Sequence, residues 1–326
     1  MRIVLKKYGF IGGLALAIFF GASLPNSGVH SLQLFNVALT DIGIWLIFLR
    51  QGLSLQTHEL FAGRNPLRLH AYVLSWNFVL FPLLTGLLLF LVRPYISEEL
   101  KQGFYLLSIL PTTVVSAIAM TSASGGNTAN ALFSSVYSNL IAVIWVPIVG
   151  LLYLRFSDDP VFGIPQALLQ LSLLIVLPLF LGQCIRSFFT DLSSTICRKT
   201  TWFCPAIILW LVFNAFSRSV QSQSFKTVPC SEIIFAILFA GFLLFLVSGL
   251  VAWSSGWLRL ERGTRIAAFY CASQKSLVTG LPLVATILNS IQKEEIVAVI
   301  LLPILAYHTQ QLVFAAGLLH FQRKQV

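Results

Sequence analysis

Charge is what this sequence has least of. Asp, Glu, Lys and Arg together make up 10% of its 326 residues, and only 11 of them are acidic, whereas a soluble domain carries about 25% charged residues. A soluble enzyme and a charged disordered chain are both excluded. Methionine is rare, at two residues, and the five cysteines (Cys184, Cys197, Cys204, Cys230 and Cys271) contain no CxxC pair. A zinc ribbon and a disulfide framework are therefore not expected. No two of the five histidines stand at metal-ligand spacing. The loop-like SASGGN at 122–127 lacks the following GK[ST] of a phosphate cradle. With no nucleophile–base pair and no metal cluster in view, the chain is not read as an enzyme.

What the sequence does have is apolar residues, 57% of the chain, with a mean hydropathy of +0.86. They run continuously for about 20 residues at a time instead of alternating, which selects membrane-spanning helices over a transmembrane β-barrel. The predicted class is all-α, with spans near 8–24, 32–55, 70–92, 103–122, 129–154, 164–188, 202–221, 232–257, 266–288 and 295–320. The first run begins MRIVLKKYGF, the basic start of a signal peptide. It is read as an uncleaved span because nine more follow.

The net charge of +10 first suggests nucleic acid, but its distribution gives a better account. If the N-terminus is cytoplasmic, fourteen Lys and Arg fall on the inner side and six on the outer, and Lys275 falls inside a span. That asymmetry predicts both termini in the cytoplasm and makes the basic excess an insertion signal. No nucleic acid partner is expected. The polar stretch RFSDDPVFG at 155–163 divides the chain into 1–160 and 161–326, five spans each. An odd number per half predicts opposite insertion, the inverted repeat of many secondary transporters.

Spans four and nine share an anomaly. They read LLSILPTTVVSAIAMTSASGG and IAAFYCASQKSLVTGLPLVATIL, each with a proline and small polar residues inside an apolar run. Proline removes a helix hydrogen bond and frees polar backbone that lipid cannot satisfy but a bound ion or solute can. Corresponding interrupted spans in two halves point to a transport site.

Several spaced motifs carry a resemblance. In order they are FLRQGLSLQTHEL, WNFVLFPLL, LPTTVVSAIAMTSASGGN, SNLIAVIWVP, LPLFLGQCIR, CASQKSLVTGLPL and LLPILAYHTQQLV. Together they resemble the bile acid:sodium symporter superfamily, closest to its branch of symporter-like bacterial and eukaryotic proteins. The resemblance implies a core of spans 3–5 and 8–10, unwound where four and nine cross, and a panel of spans 1, 2, 6 and 7. It also implies alternating access around a midplane site and sodium as the coupling ion.

Carried over by that resemblance, Asn77 stands near the second sodium site in place of a family glutamine. Gln274 matches the glutamine of the span-nine crossover, and Ser116 roughly matches the crossover serine of span four, beside Thr112 and Thr113. Ser135 and Asn139 replace the hydroxyl ligands of span five, and Ser276 completes the second crossover. Asn77, Ser116, Ser135 and Gln274 would thus be the sodium ligands. Tyr270, however, occupies the place of the buried family glutamate shared by both sodium ions. A hard cation wants charged or carbonyl oxygens, so that exchange counts against sodium.

Beside the loss stands a gain, Lys275. A lysine at the bilayer midplane costs about 2.5–3.5 kcal/mol and should have a partner. Its ammonium is expected to replace a sodium ion, to pair with an anionic substrate, or to exchange a proton during the cycle; the bland alternative is snorkelling or a stabilising salt bridge. Asp41 is the one acid placed inside a span, and is read as a proton carrier or counter-ion, or else as part of an internal network. His308 and Gln311, one turn apart, are a candidate proton relay or a packing pair. Asn214 and Gln183 are candidates for the panel side of the cleft or for interhelical glue.

The functional expectation is a secondary transporter of a small organic anion, resident in a plasma membrane or bacterial inner membrane. The anion preference comes from helix N-termini at the crossover and from Lys275. The alternatives are a proton-coupled or uncoupled carrier in which Lys275 replaces sodium, and a membrane sensor that keeps the fold without transporting.

Overall fold

A computed structural model describes residues 2–24, 33–34, 37–54, 67–156, 169, 171–222, 228–290 and 296–323. In chain order its helices are α1 (Arg2–Ser23), α2 (Leu39–Ser54), α3 (Leu67–Ser75), α4 (Phe81–Val92), α5 (Glu98–Ile109), α6 (Val115–Ala123) and α7 (Thr128–Phe156). The series continues with α8 (Leu177–Phe188), α9 (Thr190–Lys199), α10 (Phe203–Gln221), α11 (Cys230–Ser254), α12 (Arg262–Ser273), α13 (Leu277–Ser290) and α14 (Val297–Arg323). Short π-helical turns at Trp76–Leu80 and Ser172–Val176 lead into α4 and α8.

The protein is helical, as its apolar runs predict, and among the described residues six helical stretches are long and apolar enough to cross a membrane. They are Leu67–Tyr95, Thr128–Leu154, Phe203–Gln221, Cys230–Leu258, Arg262–Leu288 and Val297–Leu318, with Gly9–Ser23 and Ser172–Phe188 as shorter apolar helices. Three of the expected spans take a different form. The run 103–122 is two helices, α5 and α6, because Pro111 has no amide with which to continue the ladder. The run 266–288 breaks at Gln274–Ser276 between α12 and α13. The second run is helical only from Leu39, preceded by a two-residue antiparallel pairing of Gln33–Leu34 with Val37–Ala38. The acidic clusters at 158–159 and 294–295 lie outside the described residues.

The chain divides into two compact units. The first comprises Met1–Gln56, Arg155–Val228 and Leu281–Val299; the second comprises Thr57–Leu154, Pro229–Gly280 and Ile300–Val326. In the first unit, α2 and α8 lie backbone to backbone at Gly52 and Gly182, where a Cβ on either glycine would stand 2.9–3.0 Å from the Cα of the other, inside van der Waals contact. Arg186 closes this contact by donating from Nη1 to the Leu53 carbonyl at 2.6 Å, satisfying an orphan carbonyl at the end of α2. Arg50 does the same across the bundle, donating to the Cys197 carbonyl at 2.9 Å and to the Thr200 hydroxyl at 3.1 Å.

The second unit is built on small residues. Ala117, Ala131, Ala267, Ala268, Cys271 and Ala315 are buried together with Leu69, Val73, Met120 and Tyr270. Small side chains let helix backbones approach closely where no hydrophobic effect drives association in lipid. Outside, Leu83, Leu87 and Phe90 on α4 and Leu238, Phe242 and Phe245 on α11 are exposed. An apolar surface of this kind is stable against acyl chains and not against water.

Candidate ion and substrate site at the helix breaks

Two interrupted helices meet inside the second unit. The amide of Ser276, in the break between α12 and α13, donates to the carbonyl of Pro111, in the break between α5 and α6, at 2.8 Å. The approach is close enough that a Cβ on Gly280 would collide with the Leu110 side chain. Side chains from α7 and α14 bond to the backbone of both breaks.

From α7, Ser138 accepts from the Thr112 amide at 3.2 Å, and Asn139 donates to the Thr112 carbonyl at 3.0 Å. Ser135 donates to the Thr113 carbonyl at 3.3 Å. The three lie at i, i+3 and i+4, one face of a helix. From α14, Gln311 brackets Lys275, accepting from its amide and donating to its carbonyl, both at 2.8 Å. His308 sits 2.9 Å from the Gln311 amide nitrogen and 3.4 Å from the same Lys275 carbonyl. Tyr307 donates to the Ser273 carbonyl at 2.7 Å. Across the junction Ser116 donates to Gln274 Oε1 at 3.0 Å and pairs closely with Thr113. Thr279 donates to Asn139 Oδ1 at 2.7 Å, and Ser276 Oγ accepts from the Thr279 amide at 3.2 Å.

These bonds carry the geometry of the breaks, which gives a direct test. Gln311→Leu keeps the volume but strands an amide and a carbonyl of Lys275. It should cost about 2–4 kcal/mol, against about 1–2 kcal/mol for Tyr307→Phe, which strands one carbonyl. Thermal unfolding of the two purified variants reads the difference. Equal shifts would mean that Gln311 is not what holds the break open.

Lys275 lies at the centre, 1% exposed. Its Nζ donates to three backbone carbonyls, Ser108 at 2.7 Å, Leu110 at 2.8 Å and Asn77 at 3.1 Å. The Phe81 ring lies beneath it, 4.4 Å from nitrogen to centroid, within cation–π range. An ammonium has three donors and no acceptor, and all three are used.

The sequence explains why the carbonyls are available. Leu110 is extended, and the helix before it has ended, so the Ser108 and Leu110 oxygens lose their intrahelical partners. Asn77 lies in the π turn, where the Phe81 amide bonds to Trp76. By the same i to i+5 register the Asn77 carbonyl would pair with residue 82, which is a proline and has no amide.

Asn77 also donates through its side chain to Ser138 at 3.1 Å and to the Cys271 carbonyl at 3.3 Å. Its Oδ1 and the hydroxyl of Thr112 are buried and have no hydrogen-bond partner among the described residues. Tyr270 is buried with its hydroxyl 2.9 Å from Ser124. Among the described residues no group of three or more His, Cys, Asp or Glu could hold a metal ion.

Eleven of the residues singled out in the sequence thus share one network: Asn77, Thr112, Thr113, Ser116, Ser135, Asn139, Gln274, Lys275, Ser276, His308 and Gln311. The others belong to the first unit. Asp41 and Asn214 line a cavity of about 60 Å³ with Thr40 and Arg218, and Gln183 donates to the Gly52 carbonyl. Sequence reasoning passed over Ser138, Thr279, Tyr307 and the Asn77–Pro82 spacing as a carbonyl donor. The polar face of α7 carried the signal for Ser138. Nothing in a tyrosine within an apolar run distinguishes Tyr307.

Apolar spans, interrupted helices and a polar network sealed inside them define a multi-pass membrane transporter. The chain belongs to the SBF-like CPA transporter family, whose pattern it matches over residues 8–324. It is 28% identical to sodium/bile acid cotransporter 7 of Danio rerio over 324 residues, covering 96% of this chain and 93% of that one. It is 30% identical to sodium/bile acid cotransporter 7-A of Xenopus laevis, covering 96% and 91%. It is also 30% identical to the symporter-like protein YfeH of Escherichia coli, covering 88% and 85%.

Proposed function

We propose that this protein is a secondary transporter of small organic anions that works by alternating access without a bound sodium ion, the ammonium of Lys275 standing in the ion's place. The observation that carries the reading is the three-carbonyl cradle around Lys275 Nζ. A sodium ion is held by oxygens of this kind, and here they already face a cation that the chain supplies itself. Tyr270, hydrogen-bonded to Ser124, offers no carboxylate to recruit another.

The ammonium neutralises the carbonyl end of α5, while α6 and α13 begin at the breaks and direct positive dipole ends toward them. The uncommitted hydroxyl of Thr112 and the fixed positive charge suit a carboxylate or a similar small anion. In this reading the second compact unit is the core and the first is the panel, each assembled from both halves of an inverted repeat of ten spans. Asp41, beside Arg218, is where proton coupling would enter. The charge asymmetry supports both termini in the cytoplasm, in a plasma membrane or bacterial inner membrane.

Counterflow in proteoliposomes tests this. Liposomes loaded with a candidate carboxylate should take up the labelled form at the same initial rate in sodium and in a bulky organic cation. A rate that collapses when sodium is withdrawn would sink the sodium-free reading. Specific binding of an anion with no exchange would leave a sensor.

A further inference from the structure

A second charged site lies in the second unit, around the connection from α11 to α12. Where α11 ends, the short turn Ser255–Leu258 leads to the first turn of α12, and the two enclose an open cavity of about 470 Å³. Arg262, Arg265, Ser124, Ser255 and Tyr270 form its polar side, and Ala252, Ile266, Phe269 and Leu318 form its apolar side. The Arg265 guanidinium lies over Gly256, 3.8 Å from where a Cβ would stand. Neither arginine side chain makes an ion pair or a hydrogen bond among the described residues, and Glu261 does not line the cavity. Ser124 and Tyr270 share one hydrogen bond, so one of their two hydroxyl protons is left to donate.

Two guanidiniums with no partner among the described residues and a spare hydroxyl donor suit a phosphate ester, which accepts bidentate bonds from arginine. The apolar half of the cavity and its neighbours say which one. Trp253 and Trp257 pack edge to face, 4.2 Å between centroids, and are 61% and 68% exposed. Exposed tryptophans at the end of an apolar helix mark headgroup depth, and basic pockets between helices at that depth take anionic headgroups.

We infer that this cavity binds the phosphate of an anionic phospholipid, with the glycerol and first acyl carbons against Ile266, Phe269 and Leu318. Its two arginines take no part in the Lys275 network, so the lipid reading can fail while the transport reading stands.

The test uses the full chain in neutral detergent, with unfolding temperature read against short-chain phosphatidylglycerol, short-chain phosphatidylcholine, and glycerol phosphate at constant ionic strength. Three variants accompany wild type: R262Q/R265Q, Y270F, and R198Q/K199Q, which removes the same charge elsewhere. Phosphatidylglycerol should stabilise wild type and R198Q/K199Q more than phosphatidylcholine does. Its apparent affinity should fall about fivefold per arginine lost, or about thirtyfold in the double variant, and less in Y270F. Stabilisation by glycerol phosphate alone, lost in R262Q/R265Q, would keep the phosphate site but assign it to a soluble ligand and overturn the lipid. No difference between the lipids, or a preference that survives in R262Q/R265Q, would overturn the site. Native mass spectrometry, which counts bound phosphatidylglycerol directly, separates the same outcomes if the double variant is thermally weakened.

Discussion

Lys275→Met should unfold at a lower temperature than wild type, and in Lys275→Ala sodium, to which wild type is indifferent, should restore part of the loss. Methionine roughly preserves the side-chain length but strands three carbonyls, those of Asn77, Ser108 and Leu110. Each costs about 1–3 kcal/mol. Against this stand about 2.5–3.5 kcal/mol recovered by not burying a charge in a membrane, and the midpoints leave a net loss of about 3 kcal/mol. The ligand response is more telling than the shift. An ion that binds only the folded state stabilises by mass action, about 1.4 kcal/mol at ten times its dissociation constant. In Lys275→Ala, which also opens space, the carbonyls are free to take sodium. A titration against a bulky cation at constant ionic strength separates the outcomes. A sodium effect equal in wild type and variant would mean that the lysine does not stand where the ion would.

Gly52→Ala and Gly182→Ala are expected to be the most damaging single-methyl additions in the protein. A Cβ on Gly52 would run into the Leu179 carbonyl and the Gly182 Cα, and one on Gly182 into the Leu49 carbonyl and the Gly52 Cα. These neighbours are backbone, so no rotamer change relieves the collision. Overpacking usually costs about 1–3 kcal/mol, and this site should reach or exceed the upper end. It should also loosen the bonds from Gln183 and Arg186 that close the same contact. Because both methyls push the same two helices apart, the double variant should lose less than the sum of the singles. Gly86→Ala, with nothing within 4 Å of its added Cβ, is the control and should be neutral or gain up to about 1 kcal/mol in helix propensity. Comparable melting shifts for Gly52, Gly182 and Gly86 would refute the backbone contact.

The sequence exposes some of these features and hides others, for physical reasons. Lys275 is visible because one charge in an apolar run has no cheap explanation. The break after Ile109 is visible because Pro111 forbids the helix ladder. The break at Gln274–Ser276 is less so, since it contains no proline and is held open from outside by Gln311 and Pro111. Asn77 is legible as a polar side chain, yet it is its carbonyl that faces Lys275, and a local π turn cannot be read from periodicity. Gly52 and Gly182 look like ordinary glycines in apolar helices until their neighbours from more than a hundred residues away are in place. The start of α2 at Leu39 is obscured because the paired residues Leu34, Val37 and Ala38 are apolar like the helix that follows.

A cation joined to the chain by four methylenes cannot dissociate, and that bears on energy supply. A carrier that releases a bound ion draws work from that ion's gradient. If Lys275 keeps its proton and its cradle, and no proton is coupled through Asp41, a transported anion would move under its own gradient and the membrane voltage alone. Each elementary charge is worth about 2.3 kcal/mol per 100 mV. An interior-negative potential of that size would hold a monovalent anion about fiftyfold more dilute inside than outside at equilibrium. Such a carrier is poised for export or exchange of anions, and its current should reverse when the voltage does.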